Sequence, residues 1–226
     1  QSLYAFTLRN NPIDLTLWSY LWNSSGTGAL SPDSSLSFTY SFNLNGTEYF
    51  QHIRGARPTS GTLSVSRGMW DQSMTFIAKD ITIPATSTGD GGTPVYQSSE
   101  TSSSPIVHSD GGGSPFTYNS VSYGERSFST TVNRNMAVMA VNGETDITYT
   151  KATDRSITFT ADVFSGKSSS ETALYTLYES KDADSASYKF TTSPSKTLTY
   201  ANAVITDYSY THAAGSADAL IESITC

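Results

Sequence analysis

The sequence predicts a mainly β domain, and three features of its pattern say so. Leu36, Phe38, Tyr40, Phe42 and Leu44 alternate with Ser37, Thr39, Ser41 and Asn43, which is the period of a strand with one apolar face. Asn45-Gly46 follows at once, the preferred pair for a tight hairpin turn. Further alternating runs rich in Ser and Thr recur after a long Gly/Ser-rich interval. At 226 residues the chain is long enough to bury a core as one domain, 1–226.

The opening Leu3 to Arg9 reads as a short strand or extended arm, the arm being taken as 1–11. Asn11 as cap and Pro12 at the first helical position then predict a helix, because the missing proline N–H costs nothing there. Ile13, Leu17, Trp18, Leu21 and Trp22 recur at helical spacing, so Trp18 and Trp22 are expected in the core. In the hairpin, Phe38 and Phe42 are assigned to the core, and Thr47 to Ile53 returns as the partner strand. Pro58 to Ser66 and Ser73 to Ile83 supply two more strands, with Met74, Phe76 and Ala78 alternating and Phe76 a core residue.

From 84 to 115 the composition changes to Gly, Ser, Thr, Asp and Pro, including Gly89-Asp90-Gly91-Gly92 and Asp110-Gly111-Gly112-Gly113. Such a stretch cannot bury enough apolar surface to order itself, so it reads as a long flexible loop. Loops of that length inside a compact domain tend to be functional.

Beyond it, Phe116 to Tyr123 and Arg126 to Val132 read as strands, with Asn142-Gly143 as another turn. Ile157, Phe159, Ala161 and Val163 alternate with Thr158, Thr160 and Asp162, placing Phe159 in the core. Ser168 to Glu171 forms a capping-box signal for a second short helix that buries Ala173, Leu174, Leu177 and Tyr178. Ser187 to Thr192, Thr197 to Tyr210 and Leu220 to Thr225 close the chain as strands.

Charge narrows the function classes. Thirteen Lys and Arg against twenty Asp and Glu give a net charge of −7, and no run of cations forms a patch. Binding nucleic acid by phosphate neutralisation is therefore disfavoured. The single cysteine, Cys226, excludes an intramolecular disulfide. No apolar stretch approaches membrane-spanning length and no signal pattern opens the chain, although a removed leader stays open.

His52, His108 and His212 lack ligand spacing, so no metal site or cofactor is expected. The Asp90 and Asp110 segments read as turns, with a lone calcium left open. No Gly-x-Ser-x-Gly elbow appears, and Asp146, Asp154 and Asp162 read as solvated strand and turn positions, so the chain is expected not to be an enzyme.

Several segments resemble, in order, the tail tube proteins of siphoviruses and related long-tailed viruses. The helix at Ile13 to Trp22 is similar to that family's early apolar helix, and Leu36 to Phe50 to its first long hairpin. Gly55 to Val65 followed by Met74 to Ile81 is the most family-like stretch; Ser127 to Asn135 resembles a later inner strand. Ile157 to Ala161, the helix at Glu171 and Asn202 to Tyr210 also fit.

The resemblance implies a tail-tube-type β-sandwich or barrel with two short helices, its sheets continued between subunits. Rings, usually of six, would stack into the tail tube of a virion assembled in the host cytoplasm. The subunit's partners would be itself, the tape-measure, tail terminator and baseplate proteins, and viral DNA in transit without specific binding. Under this reading Ser37, Thr39, Ser41, Asn43, Thr47, Ser129, Thr131 and Asn133 are expected in the lumen wall or the sheet shared between subunits. Asp90, Tyr96, Ile106 and Asp110, with the N-terminal arm, are expected between rings. Two other classes stay open. One is a secreted or cell-surface β-sandwich that binds glycan or ligand through exposed Trp70, Tyr118 and Tyr123; the other is a pilus or filament subunit.

Overall fold

The computed structural model describes residues 4–12, 16–22, 35–66, 68–82, 107, 112–139, 149–165, 173–192, 195–212 and 220–226. In chain order its elements are β1 (Tyr4–Asn10), α1 (Thr16–Trp22), β2 (Leu36–Leu44), β3 (Thr47–Ser66), β4 (Met69–Ala78), β5 (Asp80–Ile81) and β6 (Phe116–Tyr118). They continue as β7 (Val121–Met139), β8 (Tyr149–Ser165), α2 (Ala173–Ser180), β9 (Asp184–Thr192), β10 (Ser195–Ala203), β11 (Asp207–His212) and β12 (Leu220–Thr225). The chain is mainly β, and its described strands pair antiparallel throughout.

The larger sheet runs β1-β4-β3-β7-β8-β12-β11. The smaller one runs β7-β6-β9-β10 and uses only the first residues of β7, Val121 to Tyr123. Between them lies an aromatic core. Trp70 of β4 packs edge-on against Tyr188 and tilted against Phe190 of β9, at centroid distances of 5.1 and 4.5 Å. Phe128 contacts Tyr188 at 4.3 Å, and Phe159 contacts Tyr200 of β10 at 4.5 Å. Ring pairs of this kind add about 0.5–1.5 kcal/mol each beyond area burial. They hold the two sheets face to face as a sandwich.

Long strands pass between layers. Sequence reading breaks Thr47 to Ile53 from Pro58 to Ser66, whereas the structure carries one strand through both. Gly55, at φ +61°, and a register shift between Pro58 and Ser60 bend β3 there without ending it. Its first half forms a hairpin with β2 and a short pairing with β5; its second half enters the larger sheet.

Phe116 to Tyr123 likewise resolves into β6, a turn at Asn119-Ser120 and the start of β7. Both turn residues have positive φ, 46° and 64°, the geometry that Asn-Gly ordinarily signals. Thr197 to Tyr210 divides at 204–206, where buried Ile205 marks the crossing from the smaller sheet to the larger. The Asn45-Gly46 turn is formed, with the Gly46 N–H donating to Asn43 Oδ1 at 2.9 Å.

Trp18, Phe76, Phe159 and Leu174 are fully buried, and Leu177 and Phe38 pack half-buried against the same core. Phe42 stands apart from it, half-buried and stacked on Tyr49 at 5.6 Å. The Trp22 side chain, residues 1–3 of the arm, the Asn142-Gly143 turn and the Ser168 to Glu171 capping box lie outside the described residues. So do Asp90, Tyr96, Ile106, Asp110, His108 and Asp146, and with them nearly all of 84–115.

Candidate functional site

The strands of the larger sheet alternate over most of their length, so its two faces differ in chemistry. One carries the core. The registers assemble the other into rows that cross the strands. Thr7, Thr75, Ser60, Asn133 and Ser156 form one row over β1, β4, β3, β7 and β8. Arg9, Ser73, Thr62, Thr131 and Thr158 form the next. Asp71, Ser64, Ser129, Thr160, Thr225 and Asp207 form a third that reaches β11. Ser127, Asp162, Ser223 and Ser209 form a fourth. Beyond these rows the same face becomes less polar, with exposed Phe164 beside Ile221 and Thr211 at one end and Ala5, Ile77 and Arg57 at the other.

This face is a hydroxyl surface stiffened by cross-strand hydrogen bonds. Thr7 and Thr75 share one at 3.2 Å, as do Thr62 and Thr131. Asp162 accepts from Ser127 at 2.7 Å through one carboxylate oxygen and from Ser223 at 2.6 Å through the other. Across the four rows the charged side chains are Asp71, Asp162 and Asp207 against Arg9 alone. Such a surface is wetted by water and offers a polyanion few cationic anchors.

Ser129, Thr131 and Asn133 lie on this face. Ser37, Thr39, Ser41 and Asn43 lie on the separate β2–β3 hairpin, all exposed except half-buried Ser41, with Thr39 Oγ1 bonded to His52 Nδ1 at 3.0 Å. Thr47 pairs directly with Leu44, so it shares a face with Phe42 and Tyr49 and not with Ser41. The residues expected in the lumen wall or shared sheet are thus divided among three surfaces. Thr62, Thr158, Thr160, Asp162 and Ser223 belong to the sheet face as well. The strand alternation marks them as outward-facing, but only the pairing of distant strands brings them together.

Two further surfaces emerge. The outer part of the hairpin exposes Tyr40 and Leu44, at 59% and 55%, beside the Tyr40–Phe42–Tyr49 stack. At the far edge of the larger sheet, Tyr208 contacts Tyr175 at 5.5 Å, Tyr178 at 5.9 Å and Tyr210 at 6.5 Å. Lys181 Nζ sits 3.6 Å over the Tyr178 ring, and Tyr210 is 62% exposed. Trp70, Tyr118 and Tyr123, expected to serve as exposed stacking residues in a binding module, are all buried in the sandwich instead. Apolar packing of the two sheets claims them.

Under the core face lie two buried carboxyls, Glu125 and Glu222, in one row with Val163 between them. Tyr208 donates to Glu222 Oε1 at 2.6 Å. Burial, reinforced by Glu222, pushes the Tyr123 hydroxyl up to about 12. Burial and then Glu125 raise Tyr188 further still. Burial also pushes the Cys226 thiol up to about 12, although its hydrogen bond with Tyr118 opposes the shift. Asp154 and Asp162 are eight residues apart on β8. At about 3.3 Å per residue that is roughly 26 Å, so they cannot act on one substrate bond.

Among the described residues, no group of three His, Cys, Asp or Glu could hold a metal ion, and no helix is long and apolar enough to cross a membrane. The arrangement is that of an antiparallel β-sandwich with one extended polar sheet face. No protein-family model matches the sequence, and no curated protein matches it.

Proposed function

We propose that the chain is a structural subunit of a hollow polymer, the tail tube of a long-tailed virus, and that the hydroxyl face of its larger sheet lines the bore. The observation that carries this reading is the extent of that face. It crosses all seven strands without an apolar interruption in its central rows, and its formal charge is predominantly negative.

A passage for DNA needs a wall that water wets and phosphates do not grip. Ser and Thr hydroxyls bonded to one another supply the first property, and Asp71, Asp162 and Asp207 the second. Copies of the sheet joined around a rotation axis would close such a wall and remove its edges, which are otherwise prone to aggregate. The tape-measure, terminator and baseplate proteins are then expected neighbours, with no catalytic step in the subunit's own work.

Negative-stain microscopy of the concentrated protein tests the proposal. Rings, or tubes of constant diameter with a bore wide enough for a DNA duplex, are expected. Isolated particles at every concentration would overturn it, and filaments with solid centres would favour the pilus-type reading instead.

A further inference from the structure

The larger sheet ends on two strands that pair on one side only among the described residues, β1 with β4 and β11 with β12. Natural monomers blunt such edges with Lys, Pro or bulges. Neither strand has these. β1 reads Tyr-Ala-Phe-Thr-Leu-Arg-Asn and β11 reads Asp-Tyr-Ser-Tyr-Thr-His, each in unbroken register with its neighbour.

The two edges also match side by side. On the core face β1 presents Tyr4, Phe6 and Leu8, while β11 presents Tyr208 and Tyr210. On the hydroxyl face β1 presents Ala5 and Thr7, and β11 presents Ser209 and Thr211.

Polarity then selects among assemblies. From β1 to β11 there are six antiparallel steps, an even number, so the two edge strands run in the same direction. A rotation axis that relates all copies in a ring preserves strand direction. It must therefore place β11 of one copy parallel to β1 of the next. A two-fold dimer would instead join β11 to β11, or β1 to β1, antiparallel.

We infer that copies of this chain join through a parallel seam between β11 and β1, with Tyr210 covered by the apolar face of the neighbour's β1. The inference rests on the tube reading and specifies its contact. It accounts for an exposed tyrosine on an edge strand whose own sheet leaves it uncovered. It also continues the hydroxyl surface from copy to copy without a break.

Cysteine cross-linking decides the matter. In a Cys226→Ser background, Ser209→Cys is combined in the same chain with Ala5→Cys, Thr7→Cys or Arg9→Cys, all exposed positions. The products are resolved on denaturing gels after mild oxidation, with ring or tube formation checked by microscopy on the same samples. At least one double variant should give a ladder of covalent oligomers, and Ser209→Cys alone should give none. A covalent dimer from Ser209→Cys alone would establish a two-fold seam and overturn the inference. Intact rings with no ladder from any pair would overturn the seam and leave the tube reading standing, whereas failure to assemble in the unmutated protein would remove both.

Discussion

The guanidinium of Arg134 donates to the carbonyl of Leu21 at 2.9 Å, tying the end of α1 to the middle of β7 across more than a hundred residues of chain. A second bond reaches the Tyr20 carbonyl at 3.2 Å. The last carbonyls of a helix have no partners within it, so a buried cation placed there satisfies them and complements the helix dipole. Arg134 is itself buried, which makes its charge costly unless these bonds hold.

Arg134→Met is accordingly expected to destabilise the fold by roughly 2–4 kcal/mol. For a chain of this size that lowers Tm by roughly 4–16 °C. Thermal unfolding followed by circular dichroism checks it. An unchanged Tm would mean that the helix end is held by other contacts.

Gly61 fixes the other side of the same helix. A Cβ at this position would fall inside contact distance of Leu21 Cδ1 and lie 3.0 Å from Trp18 Cζ3 and 3.3 Å from Met74 Cγ. Here glycine serves close approach between α1 and β3. Gly61→Ala should cost about 1–3 kcal/mol by overpacking. Because Trp18 is displaced, tryptophan emission should shift to the red, and both readouts must move together.

Asp162 organises the centre of the hydroxyl face by accepting from Ser127 and Ser223. Asp162→Ala should cost about 1–3 kcal/mol, since charge-assisted bonds are lost from a partly buried site. Ser223→Ala should cost less, about 0.5–1.5 kcal/mol, because Ser127 still satisfies the carboxylate. Denaturant titrations that rank the two variants in the opposite order would contradict this role.

Alkaline pH should unfold the protein cooperatively. Burial raises Tyr118, Tyr123, Tyr188, Tyr200 and Tyr208 above the ordinary value of 10.0, with Tyr123 up to about 12. A tyrosine is neutral while protonated, and the unfolded chain releases its proton first. The stability these groups contribute is therefore complete below pH 10 and is lost as pH rises toward and through the folded values. In a titration followed at 295 nm, these five of the fourteen tyrosines should ionise only as the far-ultraviolet dichroism collapses. Ionisation of all fourteen near pH 10 with structure retained would contradict the burial pattern.

Local signals carried much of the fold. The period of Leu36 to Leu44 and the Asn45-Gly46 turn mark the hairpin, and the alternation from Ile157 to Val163 marks which side of β8 is buried. Turns built from unusual residues stayed hidden, as at Asn119-Ser120, where two non-glycine residues adopt positive φ. Nothing local at Gly55 distinguishes a bend from a stop, so one strand reads as two.

The candidate surface was legible only in part. Periodicity assigns Thr131, Thr158 and Ser223 to the outer side of their own strands. It does not say that β7, β8 and β12 are neighbours, or that Ser223 meets Asp162 from 61 positions away. The tyrosine edge was missed for the same reason, since Tyr175 and Tyr208 come from different elements.

Labelling assembled tubes tests the orientation of the hydroxyl face most directly. Thr160→Cys, on that face, is compared with Tyr175→Cys on exposed α2, both in the Cys226→Ser background. In long tubes Thr160→Cys should react with a small maleimide yet resist one coupled to a protein too large for the bore, while dissociated subunits react with both. Equal reaction of Thr160→Cys with the bulky reagent along intact tubes would place the hydroxyl face outside and contradict the account.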